Sequence, residues 1–255
     1  ILICISLLLL CEAAVGMLPI CLSIAEALLL LLFAYVHLKV VPLKLTAATW
    51  LEVGKHWSFG VKGCLIGILG EINTRVDILM LGFFFSDAVA GIYSFAALFA
   101  EGFAQLPFVL RRNIDPILGN KFAAGGSKEI ELLFEKVQHG FFLLMFFAGM
   151  AAMLLYPTVF SYFLSPDELS DSFVIFVVLM IGVIVNSTYR PFSGIITQGG
   201  RPGAATIFTI KIVGANIALN LLLIPLYGSL GAAVATSMVF LVESLLIIRY
   251  ARNLF

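Results

Sequence analysis

The sequence predicts an all-α membrane protein, a polytopic bundle of about eight transmembrane helices. Three observations predict it. The composition is 62% hydrophobic and 12% charged, against roughly 45–50% and about 25% in soluble globular domains, and the mean hydropathy is +1.11. The apolar residues gather into runs long enough to cross about 30 Å of hydrocarbon as helix. The segments between those runs alternate between basic and base-free along the chain.

The runs are 1–11 (cut short), 15–37, 57–84, 88–110, 138–163, 172–196, 204–226 and 230–250. Each is a long apolar stretch without period-two alternation, which predicts helices and not barrel strands. Breakers separate them at Pro42, Ser86-Asp87, Gly125-Gly126, Ser165-Pro166, Gly199-Gly200 with Pro202, and Pro225 with Gly228. The 38–56 segment carries Lys39, Lys44 and Lys55, and 111–137 carries Arg111, Arg112, Lys121, Lys128 and Lys136. Arg201 marks 197–203, and Arg249 and Arg252 mark the tail. The segments around 85–87, 164–171 and 227–229 hold no base. By the positive-inside rule the basic segments and the C-terminus are expected to be cytoplasmic, in the cell inner membrane.

The opening at Ile1, inside an apolar stretch and without an initiator Met, a basic n-region or a cleavage site, reads as the interior of a longer chain and not as a signal peptide. Fifteen basic residues balance 15 acidic ones, so nothing points to nucleic acid. Cys4, Cys11, Cys21 and Cys64 form no metal-ligand spacing and read as small apolar packing groups. No cofactor is implied. His37, His56 and His139 fall at helix ends near the cytoplasmic face and read as interfacial residues.

One inter-helix segment has a pattern of its own. Ser127 could cap a helix with Glu129 and Glu131 in its first turn. Ile130, Leu133, Phe134 and Val137 then share a face. That stripe fits either a helix lying on the inner membrane surface or the start of the next membrane helix. Residues 5–37 and 219–252 also share a layout, an apolar helix end, a Gly-containing turn, then a helix with a Glu and a basic exit, as two parallel lobes would give. Gly60, Gly63, Gly67 and Gly70 make a smooth stripe on the 57–84 helix, suited to close packing or to bending. Pro107 and Pro191 should kink their helices.

Ionisable groups inside a spanning helix are costly and usually face a cavity or a partner. Here they are Lys62, Glu71, Arg75 and Asp77 on 57–84, Glu101 on 88–110, Arg190 on 172–196, Lys211 on 204–226 and Glu243 on 230–250. Glu26 belongs to the 15–37 run. Glu71 and Arg75 are i, i+4 on one face and can pair, while Asp77 falls off that face. Arg190 and Lys211 have no acid three or four residues away, which favours a cavity for both. Lys62 could instead snorkel, and Glu243 could lie at the inner interface. Asn73, Gln105, Asn186, Asn216 and Asn220 add uncharged polarity. The functional expectation is a wet, partly cationic vestibule that would attract phosphate or pyrophosphate. The alternative is that these charges pair among themselves to hold helices together.

The stretch 71–119 reads EINTRVDILMLGFFFSDAVAGIYSFAALFAEGFAQLPFVLRRNIDPILG. With Arg75-Val76-Asp77, Gly82, Ser86-Asp87, Gly91-Ile92-Tyr93-Ser94, Ala96, Leu106-Pro107 and Pro116, it resembles the polysaccharide-biosynthesis (Wzx-type) flippases of the MATE-like multidrug/oligosaccharidyl-lipid/polysaccharide exporter superfamily. LNLLLIPLYGSLGAAVATSMVFLVE at 219–243 looks like that family's closing helix pair. The resemblance implies a fragment of a two-lobed MATE-like transporter. Residues 1–37 would be the last two helices of the first lobe, 38–56 a cytoplasmic inter-lobe linker, and 57–255 a second lobe of six transmembrane helices. It implies alternating-access export of undecaprenyl-pyrophosphate-linked oligosaccharide for cell-surface polysaccharide such as lipopolysaccharide O-antigen or exopolysaccharide, beside glycan polymerase partners. Arg75, Arg190, Lys211 and Lys62 would be cavity bases facing pyrophosphate. Glu71, Asp77 and Glu101 would tune them or carry a coupling H+ or Na+. A cation-coupled multidrug antiporter of the same superfamily is the alternative transporter. A membrane glycan-assembly enzyme fits less well, because the base-free loops are short and no nucleophile–base pair or metal cluster stands out.

Overall fold

A computed structural model describes residues 18–40, 50–123, 127–198 and 202–252. The chain divides into two compact units, Ile1–Phe59 and Gly60–Phe255. All the described secondary structure is helical: α1 (Leu18–Val40), α2 (Trp50–Phe84), α3 (Asp87–Ala123), α4 (Ser127–Phe160), α5 (Pro166–Ser187), a 3₁₀ turn (Arg190–Phe192), α6 (Ile195–Gln198) and α7 (Pro202–Arg252). Five of these helices are long and apolar enough to cross a membrane, with spans at Ser23–Val40, Asp87–Phe122, Leu132–Phe160, Pro166–Ser187 and Ala204–Ala251. The first apolar run, 1–11, and residues 41–49 of the expected 38–56 linker lie outside the described residues, while the ends of that linker, 38–40 and 50–56, belong to α1 and α2.

In the first unit, α1 is apolar on every face, as suits a helix surrounded by lipid. The second unit is built around α5, which contacts α3, α4 and α7. Ser165 and Pro166 start α5. The Ser165 backbone N–H and hydroxyl both donate to the Glu168 carboxylate, at 3.0 and 2.6 Å, and Pro166 at the first helical position has no N–H to leave unsatisfied. The core around α5 joins Leu81, Tyr93, Ala97, Met145, Tyr156, Phe176, Leu179 and Met180. A second core of Ile114, Leu118, Ile130, Phe192, Ile195 and Ile247 lies toward the other end of the bundle. The outward residues stay apolar: Phe83, Phe147, Leu154 and Tyr162 are all exposed. In water such a surface would be an aggregation hazard, and in lipid it is the natural exterior.

Two elements differ from the sequence-based expectation, and a third decides between two readings that the sequence left open. The 88–110 helix runs on to Ala123, through Arg111, Arg112 and Pro116. Basic side chains can reach headgroups from a continuous helix, so charge alone does not mark its end. The Ile130 stripe belongs to α4, continuous with the apolar run behind it, and packs with Leu133, Phe134 and Val137 into the second core. It therefore faces protein and does not lie on a lipid surface. The 172–196 run is not one helix. α5 ends at Ser187, and the chain turns through Thr188–Gly194 before α6. Pro191 explains the stop, since it lacks an N–H and disfavours helical backbone just before it.

α7 holds two apolar arms, 202–227 and 229–252, reversed at Gly228 with φ 58° and ψ −133°. That backbone conformation is open to glycine and strained for other residues. The crossing of α5 with the second arm is close. A Cβ at Gly182 would lie 2.8 Å from Ser237 Oγ and 2.9 Å from Ser237 Cα, and the Ser237 hydroxyl donates to the Val178 carbonyl at 2.8 Å. Small residues at a crossing allow such approach within a bilayer. Gly60, Gly63 and Gly67 of the other small-residue stripe lie outside the described side chains. Gly182→Val is expected to destabilise the purified protein by about 1–3 kcal/mol through overpacking, read as a lower midpoint in SDS unfolding. An unchanged midpoint would show that the crossing can spread at no cost.

Candidate functional site

The polar groups of the second unit gather on the inward faces of α2, α3, α5 and α7. On α2, Asn73, Asp77 and Leu81 repeat at i, i+4 and i+8 and so share a face. Asp77 is buried at 7% exposure. Its Oδ2 accepts from the Tyr93 hydroxyl of α3 and from the Thr236 hydroxyl at 3.4 Å. One turn along, Asn216 Nδ2 donates to the Asn73 carbonyl at 2.9 Å and to Asn73 Oδ1 at 3.1 Å. Asn220 Nδ2 in turn donates to Asn216 Oδ1 at 2.7 Å. These bonds tie α2 to both arms of α7 and satisfy groups that lipid could not.

The second polar knot lies where α5 stops. Arg190 donates from a guanidinium nitrogen to Glu243 Oε2 at 2.8 Å. Asn186 Nδ2 donates to the same oxygen at 3.0 Å and to the Phe240 carbonyl at 3.0 Å. The pair is largely enclosed, with side-chain exposures of 30% for Arg190 and 11% for Glu243.

Between these knots is a cavity of about 270 Å³ lined by Asn73, Asp77, Glu101, Gln105, Arg190, Asn216 and Thr236, with Phe108 and Phe240 as apolar walls. A small extension of about 40 Å³ reaches Tyr93. Among the described residues neither Asp77 nor Glu101 is ion-paired. The cavity therefore offers two carboxylates and several neutral donors and acceptors, while its one arginine is already held by Glu243.

The structure brings Asp77, Glu101 and Arg190 to one cavity and places the other singled-out residues elsewhere. Arg75 pairs with Glu71 at 3.5 Å, as their spacing predicts, but both side chains are mostly exposed, at 57% and 74%. Arg75 shares with Glu101 a second, more apolar cavity of about 590 Å³. Lys211 lines a separate cavity with Arg249. The side chain of Lys62 lies outside those described. The described bases thus do not meet in one cationic vestibule. Arg190 lines the cavity, as the absence of a local acid suggested, but it is also paired, because its partner Glu243 comes from another helix. Thr236 carries no warning in the sequence, since a lone hydroxyl in an apolar run is common, and Tyr93 stands in the Gly91–Ser94 motif with no sign of its partner.

No family model and no curated protein matches the chain. The chemistry of the site therefore rests on its geometry. A buried carboxylate with two hydroxyl partners can hold or release a proton or a small cation. A carboxylate–guanidinium pair with an amide across it fixes the angle between two helices. Arg190→Gln is expected to cost about 3 kcal/mol in SDS unfolding, at the low end for a broken buried pair because Arg190 keeps partial solvent access. The Arg190→Gln, Glu243→Gln double variant should recover most of that loss. Strictly additive losses would show that the two side chains do not act as a pair.

Proposed function

We propose that this chain is part of an inner-membrane transporter of lipid-linked oligosaccharide, with about eight transmembrane helices, a second lobe beginning near residue 57 and a cytoplasmic C-terminus. The 71–119 and 219–243 motifs support the family. The observation that carries the mechanism is the cavity with Asp77 and Glu101 unpaired on its wall. Charged groups in a lipid-spanning bundle are kept where they serve a pathway or a partner. Asp77 has hydroxyl partners but no base, so loading it with H+ or Na+ changes the charge of the cavity directly. That change biases the lobe between two arrangements, as alternating access requires.

In this reading the acids are the coupling groups and Arg75 is the base available to the anionic headgroup. Arg190 is committed to Glu243 and serves to shape the cavity. Lys211 stands apart from it. Asp77→Asn in the intact transporter is expected to bring cation-driven glycan export to near background at unchanged membrane abundance. Arg75→Gln should weaken export while leaving the cation dependence in place. Full export from both variants would remove the proposal.

The acidic character of the cavity favours a second reading, a cation-coupled multidrug antiporter of the same superfamily. Proton or sodium flux stimulated by cationic drugs, and abolished by Glu101→Gln, would select it over glycan export.

A further inference from the structure

Lys211 lies apart from the central cavity, and its actual neighbours suggest a different ligand. It lines a cavity of about 270 Å³ between the two arms of α7, with Leu246, Arg249 and Tyr250. Both bases are exposed, and among the described residues neither is paired with a carboxylate. The Tyr250 ring is held edge-on by Phe208 at 6.2 Å, which fixes its place on the cavity wall.

The depth of this cavity follows from the chain. Lys211 precedes the Gly228 reversal by 17 residues and Arg249 follows it by 21. At about 1.5 Å per residue these are roughly 26 and 32 Å from the turn, close to the thickness of about 30 Å of a hydrocarbon core. With Gly228 at one membrane boundary, the two bases and the tyrosine come to the other, at headgroup level. Two cations there, on either side of a cleft with an apolar wall, match a phosphate above an acyl chain. Tyrosine is a common residue at that level, and basic clefts between membrane helices take anionic headgroups.

We propose that Lys211, Arg249 and Tyr250 form a site for the phosphate headgroup of an anionic bilayer phospholipid, such as phosphatidylglycerol, on the side of the membrane that carries the basic loops. Lys211 and Arg249 supply the charge, Tyr250 a hydroxyl, and Leu246 a surface for the first methylenes of the acyl chain. The site is independent of the cargo and rests only on α7 spanning the membrane twice.

The test uses the full chain in phosphatidylcholine micelles with phosphatidylglycerol, polyprenyl phosphate or inorganic phosphate added separately, and native mass spectrometry to count bound lipid. Phosphatidylglycerol should bind at about one molecule per chain. Lys211→Gln with Arg249→Gln should weaken that binding about 30-fold, from the usual contribution of two bases near an anionic surface. The charge-preserving pair Lys211→Arg and Arg249→Lys should retain it. Undiminished binding to the neutralised double variant would overturn the proposal. A preference for polyprenyl phosphate would assign the site to the cargo and overturn the bilayer-lipid reading, as would loss of bound phosphatidylglycerol when inorganic phosphate is added at the same concentration. If the neutralised variant does not fold, a photoactivatable phosphatidylglycerol on the unmodified protein decides the matter. Labelling of residues 246–250 supports the site, and labelling elsewhere removes it.

Discussion

The second unit depends on one constraint: a polar group within hydrocarbon must find its partner inside the protein. Asp77 finds Tyr93 and Thr236. Asn73 finds Asn216. Arg190 finds Glu243 and Asn186 converges on it. Each link joins different helices, so the polar residues act as specific fasteners in a bundle whose apolar contacts are non-directional. Apolar packing alone would allow α2, α5 and α7 to slide or rotate against one another at little cost. The fasteners fix one register.

The same constraint creates the cavity. Polar side chains cannot all be matched in pairs, and those left over keep a space that water or a small cation can enter. Asp77 belongs to both systems. It fastens α2 to α3 and α7, and it also faces the cavity. A group with both duties links the contents of the cavity to the way the helices are held.

Much of the fold was legible because hydrophobic run length is a direct reading of the solvent. α1 and both arms of α7 fall close to their apolar runs, and the reversal at Gly228 follows from Pro225, Gly228 and a charge-free turn. The Glu71–Arg75 pair was legible because i, i+4 geometry is local. The rest was hidden where the decisive contact is distant in sequence. Glu243 lies 53 positions from Arg190, and no local spacing announces such a partner. The extension of α3 through Arg111 and Arg112 was hidden for a different reason, since charge ends an apolar run without ending a helix. Asp77 was half legible: its position off the Glu71–Arg75 face was evident, but the inward stripe of Asn73, Asp77 and Leu81 is recognisable only once the neighbours of α2 are known.

The stop of α5 at Ser187 has a mechanical consequence. An unbroken spanning helix resists bending because each carbonyl is tied to an amide one turn on. After Ser187 that ladder gives way to short-range bonds, from Tyr189 N–H to Asn186 O and from Ser193 N–H to Arg190 O. The chain there is a chain of small loops and no longer a rod. The stretch is nonetheless buried, with Phe192 and Ile195 in the second core, so packing holds its shape where the helical ladder does not. The Arg190–Glu243 clasp lies within that stretch, so one ion pair supplies a directional tie at the point where the backbone ladder is interrupted.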